Sequence, residues 1–268
     1  YKKPFVYFTK EEKEMGIKLI KNIGLKKNDK WICIHNRDSG YLKNQYPDYD
    51  WSYHDYRDFS VESLKSASEY FANKGYFVIR MGKLQKEKFD VKHEKIIDYA
   101  NSKFKNDFLD IYLLGNCEFY FGGDSGPSDI AYTFMKPAYG VNFTSTLLCE
   151  GRSHLPYLFI FKRIKNVKTN KLLSLKEILE SDFTSTYKMD DYIKNNVIPV
   201  ENSSKDIKLL AIEVFKDISD ENFENEEDIK NQKKFWDIFY KYVSNKNMGN
   251  IQPKISPSFL RNNLDLLR

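Results

Sequence analysis

The sequence predicts an α/β protein with a Rossmann-like parallel sheet, followed by a helical C-terminal region. Short apolar segments without alternation of polar and apolar residues recur along the first half of the chain, and helical stretches separate them. That order is typical of a parallel sheet with helices covering both faces. The predicted strands are 30–35, 76–81, 95–99, 117–121 and 137–141, and the helices between them are 61–73, 107–115 and 127–135.

The same pattern divides the chain into three regions. We expect a linking helix in residues 1–28, the Rossmann-like domain in 29–165 and a mostly helical region in 166–268. The linking helix is predicted because Thr9 can cap it and Gly24 fits its end. The helices predicted in the last region are 172–180, 203–218 and 224–243, and the stretch predicted as a loop is 251–259.

Composition and cysteine use favour a folded protein in a reducing compartment. Of the 268 residues, 41% are hydrophobic and 30% are charged, which is too apolar for a disordered chain. The longest apolar run, 155–161, is too short to span a bilayer. Cys33, Cys117 and Cys149 form no CxxC pair, which excludes a zinc ribbon and a disulfide framework. We expect a cytoplasmic protein, and the start at Tyr1 is compatible with a fragment of a longer chain.

The charge balance excludes one class of partner. The chain carries 43 Lys and Arg against 38 Asp and Glu, a net charge of +5, and lysines alternate with acids along most of it. Proteins that bind nucleic acids usually concentrate basic residues in a stripe, so no nucleic-acid partner is expected. The small basic excess is compatible with an anionic small molecule or with an acidic membrane surface.

A glycine-rich turn follows the fourth predicted strand. The segment GGDSGP at 122–127 joins that strand to a helix, and Pro127 suits the first helical turn. Glycines allow a ligand to approach the backbone, and the amides at a helix start can bind an anion. The Ser125 hydroxyl adds a donor for a phosphate oxygen. A plain turn between strand and helix is the alternative interpretation, because glycine and serine are common there.

Charged residues also follow the other predicted strands. Arg37 comes after the first strand, where its guanidinium is suited to clamp a diphosphate, and a surface ion pair with Asp38 is the alternative. Asp38 would orient Arg37 or accept a proton from a nucleophile. Arg80 and Asp98 close the second and third strands, where such residues are more often structural. Ligands bind at the carboxyl ends of parallel strands, so all four are candidate site residues.

Aromatic residues crowd the loop that follows the first strand. They are Tyr41, Tyr46, Tyr49, Trp51, Tyr53 and Tyr56. A sugar or a base can stack on such rings, and packing of the loop on itself is the alternative. Asp48 and Asp50 spell the DxD of one class of metal-dependent sugar transferases. They lie in the middle of the loop instead of at a strand end, so no metal site is predicted.

Several segments resemble motifs of known glycosyltransferases. Residues 124–127 and Ala131 match the D-S/T-G-P-x-H-x-A segment of the ADP-heptose transferases of lipopolysaccharide assembly, with Asp129 in place of the histidine. Residues 35–37 are similar to the H-x-R motif of the fucosyltransferases, whose arginine binds the donor diphosphate. Ordered blocks along nearly the whole chain resemble a bacterial family of surface-polysaccharide glycosyltransferases. The blocks are 35–41, 56–58, 75–82, 96–102, 107–114, 122–126 and 255–263.

The resemblance implies the C-terminal, nucleotide-sugar-binding half of a glycosyltransferase with two Rossmann-like domains, the GT-B architecture. Such an enzyme moves a sugar from a nucleotide-sugar donor to a surface glycan or a lipid-linked precursor. The resemblance implies no cofactor and no obligatory metal. In that architecture a second domain holds the acceptor, and two alternatives stay open here: a missing N-terminal segment supplies that domain, or the C-terminal helices fold back to complete the cleft. The resemblance also implies that the enzyme works in the cytoplasm or at the inner face of the membrane.

The predicted site residues fall into three groups. Arg37, Asp38 and His35 are the predicted catalytic residues, with Asp38 as the general base and His35 as its reserve. Those predicted to bind the donor are Arg37, Arg80, Asp98, Asp124, Ser125, Gly126 and Asn142. Those predicted to stack on a sugar or the acceptor are Tyr41, Trp51, Tyr56 and Arg57. Two other functions stay open: a nucleotide-sugar epimerase or hydrolase of the same architecture, and a non-catalytic carbohydrate-binding module.

Overall fold

The computed structural model describes residues 3–83, 85–144, 158–183, 186, 188–243 and 253–268. Within these ranges the chain forms one parallel sheet and one short antiparallel pair of strands. The strands of the parallel sheet are β1 (Trp31–His35), β2 (Phe77–Arg80), β3 (Ile96–Ile97), β4 (Tyr120–Gly122), β5 (Ala138–Phe143), β6 (Leu158–Phe161) and β9 (Lys254–Ile255). The antiparallel pair consists of β7 (Arg163–Asn166) and β8 (Val197–Val200).

Helices cover both faces of the sheet. The α-helices are α1 (Lys10–Lys21), α2 (Gly40–Gln45), α3 (Lys65–Asn73), α4 (Asp107–Asn116), α5 (Gly126–Thr133), α6 (Leu175–Leu179), α7 (Met189–Lys194), α8 (Ser204–Ile218), α9 (Glu226–Tyr242) and α10 (Pro257–Asn262). Short 3₁₀ helices lie at Ser52–Arg57, Val61–Leu64, Tyr99–Asn101 and Leu264–Leu267. On one face α3 packs against α8, and on the other α1 packs against α4.

The strand order creates a topological switch point between β1 and β4. The order across the sheet is β3-β2-β1-β4-β5-β6-β9, and each neighbouring pair is parallel. From β1 the chain builds outward through β2 and β3, and it then returns to the other side of β1 with β4. The predicted Rossmann-like α/β fold is confirmed. Ligands in such sheets bind at the carboxyl ends of the strands that flank the switch point.

The burial of β1 explains its unbroken apolar pattern. All five of its residues are buried. Ile32 belongs to one core together with Phe71 of α3, whereas Trp31 and Cys33 belong to the opposite core together with Leu113 of α4. Because successive side chains of a strand point to opposite faces, a strand covered on both sides favours apolar residues at successive positions, as in residues 31–34.

The C-terminal segment predicted as a loop is instead a strand and a helix. In the described part of 251–259, β9 pairs with β6 at the edge of the sheet and Pro257 begins α10. The Ser256 hydroxyl accepts a hydrogen bond from the amide of Phe259 and so caps α10. The loop prediction was wrong because β9 has only two residues and prolines flank it, which leaves no apolar period to detect. The C-terminal region therefore contributes a strand to the sheet.

The predicted aromatic loop also contains regular structure. Between residues 36 and 58 the chain forms α2 and the 3₁₀ helix Ser52–Arg57. Two hydrogen bonds hold this segment against the end of β1. Asn36 Nδ2 donates to the carbonyl oxygen of Phe59 at 3.0 Å, and the Phe59 amide donates to the carbonyl oxygen of Arg37 at 3.1 Å. The aromatic residues are therefore placed beside the carboxyl end of the sheet.

Two cysteines are buried free thiols, Cys33 and Cys117. Burial raises the pKa of the Cys33 thiol, which lowers its reactivity. Cys149 lies outside the described residues. Within the described part of the chain, no helix combines the length and the apolar character needed to cross a membrane.

Candidate functional site

A cavity of about 510 Å³ opens at the carboxyl ends of β1, β2 and β4. Its wall includes the predicted site residues His35, Arg37, Asp38, Tyr41, Trp51, Arg57, Ser125 and Gly126. The other polar residues of the wall are His54, Lys83, Gln85 and Asp110, and the apolar ones are Leu42, Met81, Leu114, Pro127 and Ile130. The cavity therefore lies where parallel sheets of this order bind ligands.

The ends of β1 and β4 approach each other closely at His35, which lines the cavity. Gly122 lies opposite His35 in the register of β4 and β1, and a Cβ atom at Gly122 would lie 2.2 Å from the His35 carbonyl oxygen. Only glycine allows this approach. At Gly126, where α5 begins, a Cβ atom would meet nothing within 4 Å. The start of α5 therefore faces open space in the cavity.

His35 is buried, and it contacts the residue that precedes α5. Its Nδ1 atom lies 3.0 Å from Oγ of Ser125. Burial, and then the charges of Arg80 and Arg37, lower the pKa of His35 to about 3. The imidazole is therefore neutral at physiological pH, and a base with such a low pKa is a weak proton acceptor there. This geometry favours orientation of Ser125 over the predicted reserve role of His35 as a general base.

Arg37 lies on the cavity wall, and its partner is Asp58 instead of Asp38. Its Nη1 atom contacts Oδ1 of Asp58 and donates to the carbonyl oxygen of His54 at 3.2 Å. The expectation that Asp38 orients Arg37 is therefore wrong, because the 3₁₀ helix brings Asp58 closer. Both bonds use Nη1, and among the described residues Nη2 has no partner. One edge of the guanidinium is thus available to a ligand.

A buried lysine forms hydrogen bonds with the backbone of the segment that carries Asp58. Lys162, between β6 and β7, donates from Nζ to the carbonyl oxygens of Asp58 at 2.5 Å and Tyr56 at 3.1 Å. Burial lowers the pKa of Lys162 to about 8, against the opposing charges of Glu201 and Asp58. Burial also raises the pKa of Asp58 to about 6, although Arg37 acts in the opposite direction. Lys162 thus adds a positive charge beside the Arg37–Asp58 pair, and the free edge of the Arg37 guanidinium still suits an anionic ligand.

Arg57 connects the aromatic segment to the turn before α5. Its Nη2 atom donates to the carbonyl oxygen of Asp124 at 2.6 Å and lies 3.9 Å from a carboxylate oxygen of the same residue. The predicted donor residue Asp124 thus positions Arg57 next to Ser125. Arg57, predicted to contact a sugar or acceptor, also brings a second guanidinium to the cavity wall.

Asp38 lies on the wall, and both of its carboxylate oxygens accept bonds from the backbone. Oδ1 accepts from the Gly40 amide at 2.8 Å, and Oδ2 accepts from the Lys86 amide at 3.0 Å. These bonds hold α2 and the 85–89 segment beside the cavity. Each oxygen keeps a further lone pair, so the carboxylate can still accept a proton from a bound ligand.

Arg80 and Asp98 lie behind the wall instead of on it. Arg80 is fully buried, and its guanidinium donates to the Glu87 carbonyl at 2.5 Å and to side-chain oxygens of Asn36 and Gln85 at 3.2 Å. Asp98 accepts from the Phe89 amide at 2.9 Å and lies 3.4 Å from Arg80. Their contacts brace the ends of β2 and β3. The second diphosphate clamp expected at Arg80 is therefore not exposed to the cavity.

Two other predicted residues point away from the cavity. Tyr56 is buried and packs against Tyr192, with ring centroids 5.5 Å apart, so it offers no face to a sugar. Asn142 is also buried, and its Oδ1 accepts two bonds from Asn202, at 2.8 Å from the backbone amide and 2.8 Å from Nδ2. Asn142 has φ of 55°, so it shapes the end of β5 and does not contact a donor in the cavity.

Sequence reasoning missed several residues of the site. Asp110 lies in the first half of α4 and lines the cavity, where its Oδ1 is buried without a hydrogen-bond partner. An acid near a helix start is normally explained by the helix dipole, so the sequence gives it no distinguishing signal. Lys162 and Asp58 were missed because their roles depend on contacts between distant segments. Asp58 lies in the block 56–58, which is the one signal that points to it.

The described residues contain no group of three or more His, Cys, Asp or Glu side chains placed to hold a metal ion. In the DxD segment, Oδ1 of Asp50 accepts a hydrogen bond from the Ser52 amide at 2.9 Å. Asp48 is exposed. Both aspartates therefore precede the 3₁₀ helix Ser52–Arg57.

Comparison with known proteins shows a distant similarity to a solved structure. No family model matches the chain, and no curated protein matches it. Among solved structures, the chain is similar to the glycosyl transferase family 9 protein from Veillonella parvula DSM 2008, with a TM-score of 0.36 and 13% sequence identity. The match covers 51% of this chain and 36% of that one, so the chain spans little more than a third of that protein.

Proposed function

We propose that the chain is the donor-binding part of a glycosyltransferase and takes a nucleotide-sugar into the cavity at the ends of β1 and β4. The observation that carries this proposal is the convergence of Arg37, Arg57 and the start of α5 around one cavity. Two guanidinium groups and the positive end of a helix suit a diphosphate. The same residues belong to the segments 35–37 and 124–127, which resemble glycosyltransferase motifs.

The proposed reaction is displacement at the anomeric carbon of the donor sugar. The bond from that carbon to the diphosphate oxygen breaks, the acceptor hydroxyl oxygen bonds to the carbon, and the nucleoside diphosphate leaves with the electron pair. Arg37, Arg57 and the Gly126 amide stabilise the charge that develops on the leaving group. The proton of the acceptor hydroxyl passes to Asp38, whose carboxylate lines the cavity.

We propose that the reaction needs no metal ion. Where a divalent cation assists such a reaction, it neutralises the leaving diphosphate, and the two arginines supply that charge here. The proposed acceptor is a surface glycan or its lipid-linked precursor. We propose that a second domain takes part in binding this acceptor. The proposed place of action is the cytoplasm, including the inner face of the membrane, where a net charge of +5 favours an acidic surface.

A thermal-shift panel with UDP, GDP, ADP, CMP and CDP, each with and without magnesium, tests the donor site. A ligand that binds only the folded state raises the melting temperature by mass action. We expect one nucleoside diphosphate to stabilise the chain without magnesium and Arg37→Ala to reduce that shift strongly. Arg268→Ala removes an exposed arginine at the end of the chain and serves as the matched control.

The outcomes separate the alternative functions. No shift with any nucleotide, despite a cooperative melt, would contradict the transferase and favour a carbohydrate-binding module. If a nucleotide binds, the chain is incubated with the corresponding nucleotide-sugars without acceptor. Release of free sugar or of an epimer at a rate well above that of the Arg37→Ala variant would favour the epimerase or hydrolase.

A further inference from the structure

A group of aromatic rings extends the cavity wall onto the protein surface. It consists of Tyr46, Tyr49, Trp51 and Tyr53, and we call it the aromatic ledge. Trp51 lies at its centre, with ring centroids 5.8 Å from Tyr46, 6.2 Å from Tyr49 and 5.9 Å from Tyr53. Because Trp51 also lines the cavity, the ledge and the cavity form one continuous surface.

The outer rings of the ledge remain exposed to solvent, whereas the rings of a loop that only packs on itself would be covered. Tyr49 is 69% exposed and Tyr46 is 46% exposed. Trp51 is held from inside the ledge, since its Nε1 donates to the Tyr46 carbonyl oxygen at 3.2 Å. It also lies nearly parallel to the His54 ring, at 8° and 6.4 Å. The ledge thus presents large aromatic faces on a braced backbone, which is a surface that normally binds a partner.

The charges around the ledge favour an uncharged ligand rich in hydroxyl groups. The carboxylates of Asp48 and Asp50 are exposed beside the rings, and Lys43 is the cation that faces Asp50. Carboxylates accept hydrogen bonds from hydroxyl groups and repel phosphates or acidic sugars. At the inner end, the buried Nδ1 of His54 has no hydrogen-bond partner. A base of the donor is less suited to this ledge because its attached phosphates would approach these carboxylates.

We propose that the aromatic ledge binds a neutral saccharide chain, the acceptor of the reaction, and directs its terminal hydroxyl into the cavity. This inference rests on the proposed function, since it takes the donor to lie at Arg37 and Arg57. The apolar faces of the sugar rings lie on Tyr49 and Trp51, and their hydroxyls bond to the flanking carboxylates. The chain therefore holds part of the acceptor itself, beside whatever a second domain contributes.

Saturation-transfer NMR with millimolar neutral oligosaccharides, such as maltohexaose, cellohexaose, chitohexaose and mannohexaose, tests the ledge. We expect transfer to the ring protons of at least one of them and none to oligogalacturonate. In the double variant Tyr46→Ala and Tyr49→Ala we expect affinity to fall by roughly tenfold or more, as loss of two aromatic faces predicts. Tyr7→Ala removes a residue that is 65% exposed and distant in sequence, and it should bind like the wild type.

Titration of the same samples with the nucleoside diphosphate found by thermal shift separates the two proposals. Nucleotide binding that is equal in wild type and double variant, together with loss of saccharide binding in the double variant, supports the ledge. Absence of transfer to all four oligosaccharides, or equal transfer in the double variant, overturns the proposal that the ledge binds a saccharide. The proposed donor site is unaffected by that outcome. Saccharide binding without nucleotide binding by the wild type overturns the proposed transferase instead.

Discussion

The Oγ atom of Ser125 lies 3.0 Å from Nδ1 of His35, which ties the start of α5 to the last residue of β1. The two residues are 90 positions apart in the chain, and they meet because β1 and β4 are neighbours at the switch point of the sheet. This contact fixes the serine hydroxyl beside the open helix start. His35 is buried at this contact, and its burial disfavours protonation of the imidazole.

The stability of the protein should decrease in acid because of His35. Its pKa is lowered to about 3 in the folded chain, from an ordinary value near 6.5. As the pH falls from 6.5 toward 3, the unfolded chain binds a proton that the folded chain does not. This group then lowers the free energy of unfolding by about 1.4 kcal/mol per pH unit. Urea denaturation at several pH values gives the free energy of unfolding, which should fall less steeply in acid for His35→Asn than for the wild type. His93→Asn serves as the control and should keep the wild-type slope. An unchanged slope for His35→Asn would contradict the lowered pKa of His35.

Replacement of Arg37 should weaken nucleotide binding without unfolding the chain. Loss of charge-assisted hydrogen bonds to the diphosphate costs about 1.5–3 kcal/mol, which corresponds to a roughly tenfold to hundredfold weaker affinity for Arg37→Ala. Removal of the arginine also leaves the Asp58 carboxylate without its partner. The double variant Arg37→Ala and Asp58→Asn removes that effect and should show the same loss of affinity by calorimetry. Wild-type affinity in both variants would exclude Arg37 from the donor site.

Arg80 should matter for folding more than for binding. Its guanidinium is fully buried and makes bonds to Glu87, Asn36 and Gln85. Arg80→Met leaves these acceptors unsatisfied, so we expect the free energy of unfolding to fall by about 3–5 kcal/mol. Denaturation in urea measures this change. A variant that keeps its stability and loses nucleotide affinity would instead restore Arg80 as a donor clamp.

Two glycines of the turn should respond differently to alanine. At Gly122 the added Cβ atom would lie 2.2 Å from the His35 carbonyl oxygen, and at Gly126 it would meet nothing within 4 Å. We expect Gly122→Ala to cost about 1–3 kcal/mol or more through overpacking and Gly126→Ala to stay within about 0.5 kcal/mol of the wild type. Thermal denaturation of both variants checks the prediction. Equal melting temperatures of the two variants would contradict the close approach of Gly122 to the His35 carbonyl oxygen.

Much of the fold and part of the site follow from local patterns in the sequence. The unbroken apolar segment of β1 predicts a strand buried on both faces, and that in turn predicts a parallel sheet. Residues after neighbouring parallel strands meet at one edge, so the sequence places Arg37 beside Ser125 on the condition that their strands are neighbours. The order of the sheet meets that condition, because β1 pairs with β4.

The remaining features depend on contacts that no local pattern carries. A strand-end arginine looks the same in a sequence whether it faces a cavity or is buried, as Arg80 is, behind Glu87 and Gln85. Tyr56 shares its loop with exposed tyrosines, and its packing in the core, which includes Tyr192, removes it from the surface. Asp58 becomes the partner of Arg37 because the 3₁₀ helix turns it back toward the end of β1.

A crystal structure of the chain with the nucleoside diphosphate identified by thermal shift tests the central claim most directly. We predict that the diphosphate lies in the cavity at the ends of β1 and β4, within hydrogen-bond distance of Arg37 and the Gly126 amide. The Ser125 hydroxyl should contact a phosphate oxygen. A nucleotide bound outside this cavity, or one whose phosphates contact neither Arg37 nor the start of α5, would contradict the proposed donor site.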